Sequence, residues 1–312
     1  MGRIELIFRH TIACVLAAAS GVALGQTPGA LLRAESLCLE GRWAEARPLL
    51  AEATAGADQL NAHAWYLLGF VEKELYKATE VGMPDARSRV AALGAFERAR
   101  ALGISGDEAG SLAAAVDYLG RTYFDDAVAG IAGFRAGQDQ EVQALFGRYK
   151  AARLAADPRA DVREEEADLR LLLGQANALL LESVQDDEIG TAASTALLER
   201  AVAHYSEALR LRPGDYRAEY NRAITIYNHG VRQLKRIDPE TSLFELMEVQ
   251  DACIALFERA LVPMQAAHAL QPERLETLKG LMTVHRALSQ LDESERYRVE
   301  LERVIRMNRG RG

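Results

Sequence analysis

AVAHYSEALRLRP, residues 201–213, and ALVPMQAAHALQP, residues 260–272, place the same residue types at the same intervals. Each begins on an alanine (Ala201, Ala260) and has a bulky residue four positions on (Tyr205, Met264) and a second alanine at seven (Ala208, Ala267). A leucine follows at ten (Leu211, Leu270) and a proline at twelve (Pro213, Pro272). The first three intervals follow the turn of an α-helix, so these residues share one face. Proline has no amide hydrogen and clashes with the preceding turn, so it stops the helix at a fixed point. A small residue beside a large one lets a neighbouring helix approach closely. The spacing predicts tightly paired helices.

Two earlier stretches fit the same intervals. Ala92, Phe96, Ala99 and Leu102 match, with Ile104 in the proline place, and Ala46, Leu50 and Ala53 match the core triplet, with Gly56 and Asp58 beyond it. A degenerate copy is read at Ala144, Arg148, Ala151 and Leu154, with Pro158 two residues late. Candidate partner helices carry Leu68-Gly69 after Trp65, and Leu119-Gly120 before Tyr123, while Gly41-Arg42-Trp43 reads as the turn of the first pair. Together these residues resemble the tetratricopeptide (TPR) repeat. The resemblance implies an all-α solenoid of helical hairpins, about five repeats, that binds other molecules rather than transforming them.

Successive anchoring alanines are 46, 109 and 59 residues apart, against 34 for the resembled repeat. The longest gap holds an extra pair around Leu119 to Leu154. The others point to lengthened helices and surface loops at Tyr76 to Ser88 and Lys235 to Val249, where Gly82, Pro84 and Pro239 break helices. The segment from Glu219 to Tyr297 resembles the closing repeats of bacterial envelope TPR proteins with lengthened helices. The expected organisation is a leader at 1–25, a linker at 26–29, one repeat array at 30–291 and a capping helix with its tail at 292–312. Tyr297, Leu301, Val304 and Ile305 form the apolar stripe of that last helix. The composition agrees: 49% hydrophobic and 26% charged, without a sustained alternating run that would make a sheet.

Arg3, Arg9 and His10 precede an apolar stretch from Thr11 to Leu24 that closes on Ala23-Leu24-Gly25, the parts of a secretory signal peptide. The run is shorter than the ~20 residues that span a bilayer. The chain is therefore expected to be exported, periplasmic or secreted, with no integral membrane segment after cleavage. Cys14 lies too near the start of the run for a lipid-anchor signal. Beyond residue 25, 35 basic side chains face 44 acidic ones, a balance that disfavours nucleic acid. The runs Glu164-Glu165-Glu166 and Asp186-Asp187-Glu188 lack the alternation of a calcium loop and read as solvated helix ends. Cys38 and Cys253 sit on apolar helical stretches in distant repeats, so they are expected as buried free thiols.

His63, His204, His229, His268 and His285 are not spaced as zinc ligands on any helix, and no phosphate-binding loop, dinucleotide fingerprint or nucleophile elbow occurs. The chain reads as a non-enzyme without cofactor or metal. In the resembled family the first helix of each pair lines the concave face, where peptides dock. Here that helix starts near Tyr216, and Tyr220, Asn221, Ile224, Tyr227 and Asn228 follow steps of 3–4 residues along one side. Lys279, Thr283 and Arg286 on the next first helix are expected beside them. Asn221 resembles the asparagine with which some TPR domains hold a peptide's terminal carboxylate, with Lys279 and nearby arginines as the cations. Ordinary inter-helix packing is the competing reading for Tyr220 and Tyr227. Trp65 and Tyr66 form a second, weaker candidate. The expected partner is an unknown protein or peptide. The alternatives are an envelope protein that self-associates as a homo-oligomer through its terminal helix, and an envelope small-ligand-binding protein or enzyme.

Overall fold

The computed structural model describes residues 29–309, so the leader expected at 1–25 and the linker up to residue 28 lie outside the described residues. Among the described residues there are twelve α-helices and no strand. They are α1 (Ala30–Leu39), α2 (Trp43–Ala55), α3 (Ala62–Thr79), α4 (Arg87–Ala101), α5 (Gly106–Ala132), α6 (Asp139–Ala156), α7 (Arg163–Ser183), α8 (Ala192–Leu211), α9 (Tyr216–Leu234), α10 (Leu243–Leu270), α11 (Leu275–Ala287) and α12 (Leu291–Arg309). The acidic run at Asp186–Glu188 is a single 3-10 turn rather than a helix end. The chain divides into two compact units: residues up to Gly130 with Glu141–Ala160, and Ile131–Gln140 with everything from Asp161.

The repeated spacing does what the residues require. Ala201, Tyr205 and Ala208 are buried on α8, and Ala260, Met264 and Ala267 on α10. Both helices end on the leucine, two residues before the proline. Those leucines lie outside the core: Leu211 is half-buried and Leu270 exposed. Some starts are set by side chains that accept the orphan amides of the first turn. Asp215 takes the amides of Arg217 and Ala218 for α9, and Ser242 with Glu245 makes a reciprocal capping box for α10.

In the first unit α1 pairs with α2 and α3 with α4, while α2 also packs on α3 and α1 on α3. The small-against-bulky rule is explicit there. A Cβ added at Gly69 of α3 would sit 2.6 Å from the Phe96 ring of α4. The α5–α6 hairpin uses a different register from the one expected. Ala144, Arg148, Ala151 and Leu154 are all exposed, and Leu145, Tyr149 and Ala152 are buried instead. Tyr149 belongs to an aromatic cluster with Phe124 and Phe146, at 5.2 and 5.4 Å between ring centres. A charged Arg148 at the buried position would have required a buried partner, so a one-residue slip that faces it to solvent is favoured.

The second unit continues the arrangement. α7 pairs with α8, α9 with α10 and α11 with α12; α8 packs on α9 and α10 on α11. The first helices also touch one another, α7 with α9 and α9 with α11. Helices that meet their sequence neighbours and the corresponding helix of the next pair make a TPR-like array of hairpins. At Gly174 of α7 an added Cβ would lie 2.6 Å from the Tyr205 ring of α8. The expected capping helix is α12, which buries Tyr297, Leu301 and Val304 against Met264, Leu278 and Leu281. Cys38 and Cys253 are buried free thiols. Burial, with a smaller contribution from Glu35, pushes the Cys38 thiol up to about 12, which suits packing rather than reactivity.

Candidate functional site

The binding face expected from the sequence would lie on α9 and α11, and these two helices pack together through their first turns. The Tyr216 hydroxyl and Thr277 Oγ1 are 2.7 Å apart. Tyr216 stacks on Tyr220 with ring centres 5.8 Å apart and planes 11° from parallel, and the Arg274 guanidinium lies 5.4 Å from the Tyr216 ring centre. Tyr220 and Ile224 pack against the core formed by Ala223, Leu278 and Leu281. Burial raises the Tyr220 phenol above its ordinary value, reinforced by Tyr216 and Glu276. Tyr216 thus extends the aromatic stripe by one turn. Its position four residues before Tyr220 was the available signal.

The remaining expected residues fall into three groups. Asn221 and Asn228 are half-buried on α9, and Lys279 and Arg286 are exposed on α11. Lys279 and Arg286 make no ion pair with another described residue. Thr283 Oγ1 is turned onto its own helix, bonding the carbonyls of Lys279 at 3.0 Å and Gly280 at 2.9 Å. Tyr227 is half-buried against Phe257 of α10, ring centres 5.3 Å apart, so much of its ring serves the hairpin. Of the weaker pair, Tyr66 is a core residue beside Phe70 and Phe96, while the Trp65 indole donates to the Gln59 carbonyl at 2.9 Å.

Two histidine sites were not legible in the sequence. His63 of α3 stands between Glu108 of α5, 2.6 Å from Nδ1, and Glu35 of α1, 3.3 Å from Nε2. Burial alone would lower its pKa, but hydrogen bonds to Glu108 and Glu35, with their charges, raise it to about 9. His63 is therefore a cation linking three first helices. His204 of α8 meets Asp139 at 2.8 Å, and Asp139 also accepts from the buried Asn177 at 2.7 Å. Here burial wins and His204 titrates below its ordinary value. Asp139 opposes that shift, and Arg170 and Arg200 add to it. Neither site gathers metal ligands: among the described residues no group of three or more His, Cys, Asp or Glu side chains is arranged to hold a metal ion. No described helix is long and apolar enough to cross a membrane.

No protein-family model matches this chain, and no curated protein does. Among solved structures it is similar to YrrB, described as a TPR protein with an unusual peptide-binding site. The likeness spans 87% of this chain and 97% of that one, at 15% identity and a TM-score of 0.25. At those values it bears no weight for fold or function, and the fold rests on the packing above.

Proposed function

We propose that this chain is a non-catalytic scaffold that holds a peptide or protein segment along α9 and α11. The observation that carries the reading is the Tyr216–Tyr220–Ile224 wall of α9 together with Lys279 and Arg286 of α11, exposed cations that have no ion-pair partner among the described residues. Rigid aromatic rings supply contact area at low entropic cost, and amides read a peptide backbone through paired donors and acceptors. Asn221 and Asn228 supply the amides, and Lys279 and Arg286 supply charge for a carboxylate of the bound segment. The leader-like residues 1–25 support the reading that this scaffold is exported, which N-terminal sequencing of the chain from cell-envelope material tests: a start at Gln26 is expected, and an intact Met1 contradicts it.

The test of the binding face is selection of displayed peptides on the full chain, followed by fluorescence titration of the best binder. Asn221→Ala/Lys279→Ala/Arg286→Ala removes groups that contribute little to packing. At least a tenfold loss of affinity with an unchanged melting temperature is expected. An unchanged affinity overturns the proposed face.

A further inference from the structure

The helix α10 is 28 residues long, and its first three turns present apolar residues on two sides. Inward, Val249 and Cys253 pack with Phe257 and Val231, and the Cys253 thiol donates to the Gly230 carbonyl at 3.3 Å. Outward, Leu243, Phe244, Met247 and Ile254 remain 73%, 71%, 56% and 38% exposed. Leu243, Met247 and Ile254 are four and seven residues apart, one stripe along the helix, and Phe244 stands beside its first turn. An amphipathic helix that packs on one side has polar residues on the other. A second apolar face of large residues on such a helix marks a contact that a partner completes.

The charges beside the stripe select the partner. Glu248 and Asp251 flank it, are exposed and make no ion pair with another described residue. Asp238 and Glu240, in the segment that precedes the helix, are exposed as well. A second copy of the chain would set these carboxylates against their own kind, and an anionic lipid surface would be repelled by them. A helix with an apolar stripe and lysine or arginine along its edge satisfies both features.

We infer that the exposed stripe of α10 docks a basic amphipathic helix, with Phe244 and Met247 as anchors and Glu248 and Asp251 pairing its cations. The stripe from Leu243 to Ile254 is about 17 Å long at 1.5 Å per residue, which accommodates roughly three helical turns of the partner. This contact is separate from the α9–α11 face and does not depend on it.

The probe is a fluorescent 15-residue peptide of leucine and lysine patterned as an amphipathic helix. It is titrated into the full chain beside a scrambled peptide of the same composition. Binding of the patterned peptide at least tenfold tighter than the scrambled one is expected. Phe244→Ala/Met247→Ala should lower its affinity at least tenfold, and Glu248→Lys/Asp251→Lys by a similar factor, with unchanged circular dichroism. Asn221→Ala/Lys279→Ala/Arg286→Ala should leave it unaltered. Equal binding of both peptides, or binding that survives both α10 variants, overturns the inference. So does a dimer in sedimentation that Phe244→Ala/Met247→Ala dissolves, which would make a second copy the occupant. Co-sedimentation of the native chain with phosphatidylcholine vesicles, lost in the same variant, overturns it in favour of lipid.

Discussion

The first helices of the two units use their polar side chains differently. In the first unit, α1, α3 and α5 are joined by Glu35, His63 and Glu108, and Glu72 of α3 accepts from Arg47 of α2 at 2.7 Å. Behind them, Arg89 of α4 is fully buried, paired with Asp126 at 2.7 Å and 3.7 Å from the centre of the Tyr123 ring. Its guanidinium also donates to the Met83 and Pro84 carbonyls, which fastens the loop between α3 and α4. In the second unit, α9 and α11 present Asn221, Asn228, Lys279 and Arg286 without such internal pairing among the described residues. Both units share the same hairpin packing. The second unit also ties its first helices together, Arg217 of α9 to Asp168 of α7 at 3.4 Å and Arg232 to the Leu181 carbonyl at 2.8 Å. It leaves Asn221, Asn228, Lys279 and Arg286 outside that pairing, and this is the ground on which the binding face is proposed there.

The largest effects test the charged interior of the first unit. Asp126→Ala leaves Arg89 buried without its carboxylate, which should cost about 3–5 kcal/mol. Trp43 and Trp65, the two tryptophans of the chain, both lie in the first unit, so urea unfolding followed by tryptophan fluorescence reads that unit selectively. A loss under ~1 kcal/mol would mean that Arg89 is not held by Asp126. The shared packing is tested by Gly69→Ala and Gly174→Ala, one per unit. Each Cβ would meet a ring at 2.6 Å, and each should destabilise its own unit by about 1–3 kcal/mol. Hydrogen exchange in the segments of each unit should show the loss in the mutated one. Neutral outcomes would contradict the close approach of these helices.

The two histidines should give opposite pH responses. His63 has a folded pKa raised to about 9 by Glu108 and Glu35 against burial, so its stabilisation is full below the unfolded value near 6.5. That stabilisation is lost as pH rises through 9. Relative to His63→Gln, the native first unit should lose on the order of 3 kcal/mol of its advantage between pH 6 and 10. His204 is depressed, chiefly by burial, so its contribution is present above the unfolded pKa and is lost as pH falls below it. Acidification toward pH 5 should therefore loosen α8 in hydrogen exchange before the helices around His63. A common pH response of both units would remove this part of the contrast. The smallest effect belongs to the open face: Asn221→Ala/Lys279→Ala/Arg286→Ala should change unfolding free energy by less than about 0.5 kcal/mol per substitution.

The hairpins were legible because their signal is local. An alanine, a bulky residue and an alanine within seven positions describe one helical face, and Ala92–Phe96–Ala99 and Ala201–Tyr205–Ala208 bury as that pattern requires. The misread copy shows the limit of spacing. Ala144–Arg148–Ala151 and Leu145–Tyr149–Ala152 have identical intervals, and only the chemistry of the middle residue separates them. Tyr149 can fill a core, whereas Arg148 needs a partner there. The Glu35–His63–Glu108 bridge joins residues from three helices and has no local pattern to find. On α9 the aromatic stripe was visible, but the division of Tyr227 between hairpin packing and the open face depends on Phe257 of α10, thirty positions away.

The most direct measurement is hydrogen exchange of the full chain with and without a peptide selected on it. Protection confined to Tyr216–Leu234 and Leu275–Ala287, with Ala30–Leu39 and Ala62–Thr79 unchanged, is the result expected if the second unit carries the binding face. Protection centred on α1 and α3, with α9 and α11 unchanged, would contradict it.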